Sequence, residues 1–136
     1  MKVSILNVSK YPRYLGYLSV FLAAALFSVP ALATIDPSID VFKTGPAIAK
    51  VGDEITYTIG FTDTSVGGIL GACTGNDPLL GGDLGVFTAG VTRDFTYTVQ
   101  VGDPDPLLNT ATITCDVEGF DNKASGSASH KIGRAH

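Results

Sequence analysis

Tryptophan is absent from the 136 residues, methionine occurs once, and there are two cysteines and two histidines. The histidines, His130 and His136, both lie at the C-terminal end. A Ser-His-Asp arrangement needs a histidine held by packing, and the body of the chain offers none. Two cysteines without nearby histidines are too few ligands for a structural zinc, so no metal site is expected from them. Basic residues are scarce as well. Nine lysines and arginines face 13 acids, a formal net charge of -4. All the acids lie after residue 33, with only Lys43, Lys50, Arg93, Lys123, Lys131 and Arg134 to balance them. A surface this acidic repels phosphate backbones and anionic lipid, which argues against a nucleic-acid or membrane-surface partner.

Long apolar runs are missing except near the N-terminus. Lys2, Lys10 and Arg13 precede the uncharged stretch Leu15 to Val29, then Pro30 and the small-x-small pattern Ala31-Leu32-Ala33. This is the layout of a secretory signal peptide cut before Thr34. The run is too short for the roughly 20 residues a spanning helix needs. Residues 1–33 are therefore expected to be removed, leaving a secreted or cell-surface chain. The remainder suits one domain, which we place at 34–131. The last residues, Ile132-Gly133-Arg134-Ala135-His136, match one reading frame of a common sequencing adapter. We expect 132–136 to be such a scar or a disordered tail, on a record truncated from a longer protein.

After Thr34 the hydrophobic period is two, not 3.6. Ile55, Tyr57, Ile59 and Phe61 alternate with Thr56, Thr58 and Gly60. Phe95, Tyr97, Val99 and Val101 alternate with Thr96, Thr98 and Gln100; Ala111, Ile113, Cys115 and Val117 alternate with Thr110, Thr112 and Thr114. Such alternation predicts antiparallel strands with one buried and one wet face. Shorter strands are expected at 39–43, 47–50, 69–74 and 84–87, with an edge strand at 124–130. Turn residues such as Gly67-Gly68, Gly81-Gly82-Asp83 and Asp103-Pro104-Asp105-Pro106 separate them. About seven or eight short strands at this spacing predict an all-β sandwich.

Four segments also carry a family resemblance. They are Lys43-Thr44-Gly45 leading to Val51-Gly52-Asp53-Glu54-Ile55-Thr56-Tyr57-Thr58-Ile59; Asp77-Pro78-Leu79-Leu80-Gly81-Gly82-Asp83-Leu84-Gly85; Ala89-Gly90 leading to Phe95-Thr96-Tyr97-Thr98-Val99; and Asp103-Pro104-Asp105-Pro106-Leu107-Leu108-Asn109-Thr110-Ala111-Thr112-Ile113. In this order they resemble a prokaryotic surface-protein repeat, an Ig-like domain of unknown function found in tandem in large secreted proteins of bacteria and archaea. The stretch Ser65 to Gly71 departs from it, being shorter than in many relatives. The resemblance implies an Ig-like antiparallel β-sandwich and a surface location, and it implies no catalytic residues.

Candidate sites are few. Cys73 and Cys115, an even pair in a secreted chain, are expected to form a disulfide, stabilising by about 2–4 kcal/mol. Free buried thiols are the alternative. Asp103 and Asp105 are weak calcium candidates, since calcium needs six to eight oxygens gathered in one place and aspartates more often cap turns. The glycine clusters match no phosphate or dinucleotide loop. The threonine rows would put hydroxyls on an outer face, as wet-face residues or as a surface for glycans or ice.

The expected function is a non-catalytic structural or spacer module with neighbouring repeats of the same chain as partners. No enzyme activity and no cofactor are expected. The alternative is an adhesion module that binds a glycan or protein through loops such as Ser65 to Asp83.

Overall fold

In the computed structural model the described residues are Thr34–His136, and the expected signal peptide at 1–33 lies outside them. The described residues form eight strands: β1 (Ile39–Thr44), β2 (Ile48–Ala49), β3 (Glu54–Asp63), β4 (Leu70–Asp77), β5 (Gly82–Phe87), β6 (Arg93–Thr98), β7 (Leu107–Val117) and β8 (Phe120–Arg134). A single 3-10 turn, Pro78–Leu80, joins β4 to β5. Among the described residues no helix is long and apolar enough to cross a membrane.

The strands form two sheets, β1-β3-β6 and β2-β8-β7-β4-β5. All pairings are antiparallel except β2 with β8, where Ile48 and Ala49 run parallel to Gly133 and Arg134. The first, second and fifth long strands share one sheet; the last two join the third in the other. That division is the strand order of an immunoglobulin-like sandwich. The expected fold class is therefore what the chain adopts.

The threonine-rich alternation works as expected. Burial of Tyr57, Ile59, Phe61, Ala111, Ile113 and Cys115 is complete or nearly so, and these side chains from β3 and β7 face each other across the core. On the wet face, Thr110, Thr112 and Thr114 pair with Ser129, Ser127 and Ser125 at 2.6, 2.7 and 3.3 Å. The expected hydroxyl row is thus a cross-strand ladder that stitches β7 to β8.

Several expectations need correction. Val101 does not point inward. β6 ends at Thr98, the chain turns, and Val101 is 83% exposed. Phe95 and Tyr97 are only half-buried, because β6 is a sheet edge and lacks a neighbour on one side. Residues 132–136 are not a disordered tail. β8 runs to Arg134, Ile132 is 2% exposed in the core opposite Leu107, and Ala135 N–H donates to Ala49 C=O. The compact unit accordingly spans Thr34–His136 rather than stopping at 131. The strand expected at 124–130 is longer than foreseen and is an edge only until β2 covers its end. Much of the stretch Ser65 to Asp83 is regular structure, with β4 over Leu70–Asp77, the 3-10 turn over Pro78–Leu80 and the start of β5 at Gly82.

Candidate functional site: a buried lysine, aspartate and asparagine

Lys43, Asp77 and Asn109 are the buried polar or charged residues among those described. Each arrives by strand alternation. In β1 the inward row is Ile39, Val41 and Lys43; in β7 it is Leu107, Asn109 and Ala111. Asp77 is the inward end of β4, where it stops the strand by capping the 3-10 turn. Its Oδ1 accepts from Leu79 N–H at 3.0 Å, and Pro78 fills the first turn position, which needs no N–H.

Lys43 Nζ donates to Asp77 Oδ2, and both side chains are fully buried. The ammonium also sits 4.4 Å from the centroid of the Tyr57 ring, a cation–π contact. The Tyr57 ring meets His130 edge-on at 6.2 Å, and His130 Nε2 lies 3.0 Å from Pro46 C=O. Space is tight at Gly45: a Cβ there would stand 3.1 Å from both the His130 and the Tyr57 rings, which would have to give by a few tenths of an ångström. Tyr57 Oη and Asn109 Nδ2 are both buried without a hydrogen-bond partner.

Burial drives the electrostatics. It pulls the Lys43 ammonium below its ordinary pKa, against the opposing pull of the Asp77 hydrogen bond and charge. It pushes the Tyr57 phenol up, helped by the charges of Asp77 and Asp103 and opposed by the Asn109 side chain.

The two cysteines are bonded, but not across the sandwich. Cys73 on β4 and Cys115 on β7 are register partners in one sheet, with Cα atoms 3.9 Å apart. The bond staples adjacent strands of one sheet from within the core.

Asp103 and Asp105 serve as protein acceptors. Asp103 takes the Tyr97 hydroxyl on both carboxylate oxygens, at 2.8 and 2.9 Å, and Gln100 N–H at 2.7 Å. Asp105 Oδ1 accepts from Arg134 N–H at 3.1 Å. Among the described residues no group of three or more His, Cys, Asp or Glu side chains is placed to hold a metal ion.

Sequence reasoning missed the buried trio, although the signal was present. Continuing the alternation by one step in each strand puts Lys43 and Asn109 on the inward faces, where a polar residue is out of place.

No protein-family model matches the chain, and no curated protein matches it. Among solved structures it is similar to the PKD domain of an M14-like peptidase from an archaeon of the Thermoplasmatales, at 16% identity and a TM-score of 0.46, over 76% of this chain and 100% of that one. It is also similar to the CARDB domain of the PF1109 protein from Pyrococcus furiosus, solved with di-metal ions, at 14% identity and a TM-score of 0.43, over 72% of this chain and 93% of that one. The assignment of the fold rests on the strand order.

Proposed function

We propose that the protein is a non-catalytic structural module of a secreted or cell-surface protein, one unit of a longer chain of such modules. One observation carries this reading: the chain enters and leaves the sandwich at opposite poles. β8 runs alongside β1 and β2 in the same direction. Gly126 lies against Ile39 and Val41, His130 against Gly45 and Pro46, and Gly133 beside Ile48. The strand therefore travels from the level of Ile39 to Arg134, roughly 25 Å at the strand rise, before the chain leaves. Modules with ends at opposite poles string end to end without doubling back, which suits a spacer.

Other features support it. The aspartates considered for chemistry are used as turn caps and tethers, and a disulfide fits an oxidising compartment. Fractionation of producing cells tests the reading. The protein should appear in the extracellular or surface fraction, with Cys73 and Cys115 resistant to alkylation until reduced. A cytoplasmic protein with free thiols would overturn it.

A second reading, adhesion, rests on an open depression of about 380 Å3 lined by Phe61, Leu70, Val86 and Phe87. Exposed Val66 and Ile69 lie on the chain segment leading into its wall. A glycan array or protein pull-down with the purified domain distinguishes the two. Binding lost on changing Val66 or Ile69, with the fold retained, would favour adhesion.

A further inference from the structure

We propose that Lys43 and Asn109 become joined by an intramolecular isopeptide bond, with Asp77 as the group that moves the proton. The three side chains are an amine, a carboxamide and a carboxyl group. They come from β1, β7 and β4 and converge on the Tyr57 ring. Lys43 touches Asp77 and stands over the ring, while the Tyr57 hydroxyl and Asn109 Nδ2 are both buried without a partner. Asp77 is one step beyond the register pair Asn76–Thr112, so it lies opposite Ala111, and Asn109 is the next inward residue along β7.

A purely structural role accounts poorly for this set. An ion pair buried in an apolar core seldom stabilises more than apolar side chains of the same size. Here it is accompanied by an orphaned carboxamide nitrogen and an orphaned hydroxyl. The proposed reaction removes the unfavourable features together, and the unpartnered Asn109 Nδ2 is its leaving group.

The step balances without any further reactant. The proton of the Lys43 ammonium passes to the Asp77 carboxylate along their hydrogen bond, leaving a neutral amine and a carboxylic acid. The Nζ lone pair attacks Asn109 Cγ while Asp77 gives its proton to the carboxamide oxygen. The tetrahedral centre collapses, with Asp77 relaying a proton from Nζ to Nδ2, and the Cγ–Nδ2 bond breaks. The products are a secondary amide between Lys43 and Asn109, one ammonia, and Asp77 as a neutral acid. Burial favours the neutral amine, which is the nucleophilic form. The fold supplies the proximity, and the dry core protects the amide from hydrolysis.

The bond would link the two sheets. The Cys73–Cys115 disulfide ties strands within one sheet; a Lys43–Asn109 amide ties β1 of one sheet to β7 of the other. A pull on the module could then extend no residue between 43 and 109.

Mass spectrometry of the purified protein, with the disulfide reduced, tests this directly. The intact mass should fall short of the sequence mass by one ammonia. Proteolytic digestion should yield a branched peptide joining the Lys43 and Asn109 segments. Separate, unmodified peptides would overturn the proposal. So would loss of one water with Lys43 joined to Asp77, or loss of ammonia without a branched peptide, which marks a cyclic imide at an asparagine. Lys43→Arg and Asp77→Ala should each restore the full mass; a complete cross-link in Asp77→Ala would overturn the relay. The wild-type peptide map needs no variant, so a variant that fails to fold does not remove the test.

Discussion

Lys43 and Asp77, 34 residues apart in sequence, meet as a fully buried pair between the two sheets. Their contact ties the end of β1 to the turn that closes β4. It also sets the energetics of this pole of the sandwich, because neither side chain reaches water.

Breaking the pair from one side is expected to be severe. Lys43→Met leaves the buried Asp77 carboxyl group without its Lys43 partner and also removes the proposed link to Asn109, and should cost at least about 3–5 kcal/mol. Chemical denaturation of the two proteins checks this. A loss below 1 kcal/mol would show that water reaches Asp77.

The packing map makes a paired prediction. Ile113→Ala and Ile132→Ala each remove a buried side chain and should cost about 2–5 kcal/mol. Val101→Ala, on a side chain 83% exposed, should change stability by no more than about 0.5 kcal/mol. The Ile132 result also decides whether the end of β8 belongs to the cooperative unit. A neutral Ile132→Ala would show that it does not.

Alkaline pH should weaken the contact between Tyr97 and Asp103. Partial burial, the Asp103 hydrogen bond and that carboxylate's charge push the Tyr97 phenol up to about 12. An unfolded tyrosine ionises near 10. The folded state therefore holds the phenolic proton more tightly. Its contribution is complete below that unfolded value and is lost as pH rises toward the folded one. The stability difference between the protein and Tyr97→Phe should be flat at neutral pH and shrink across this alkaline window. A difference independent of pH would exclude the linkage.

Reducing the disulfide opens a loop with a sequence separation of 42 and should cost about 2–4 kcal/mol, with the strand pairing retained. Denaturation midpoints with and without reductant measure it. Because β4 and β7 are also held by their ladder, the reduced protein should still fold. A reduced chain without sheet signal by circular dichroism would mean that the bond is essential to the fold.

Much of this architecture is written locally in the chain. The alternation Ile55, Tyr57, Ile59, Phe61 against Thr56 and Thr58 determines a strand and its buried face, because successive Cβ atoms leave a pleated backbone on opposite sides. Turn residues such as Gly81-Gly82-Asp83 set where strands stop. The sandwich class and the inward orientation of Ile113 and Cys115 follow from short-range information of this kind.

Which strand lies beside which was decided only by the tertiary structure. Cys73 and Cys115 proved to be neighbours within one sheet because β4 pairs with β7, a choice no local pattern encodes. Phe95 and Tyr97 are only partly buried because β6 fell at a sheet edge, and Ile132 gained its place because β8 runs on beside β2. The same holds for Lys43, Asp77 and Asn109. Alternation alone points two of them inward, but their meeting depends on three strands from two sheets closing over Tyr57. Burial turns an ordinary lysine, aspartate and asparagine into a reactive set, and burial is a property of the assembled sandwich.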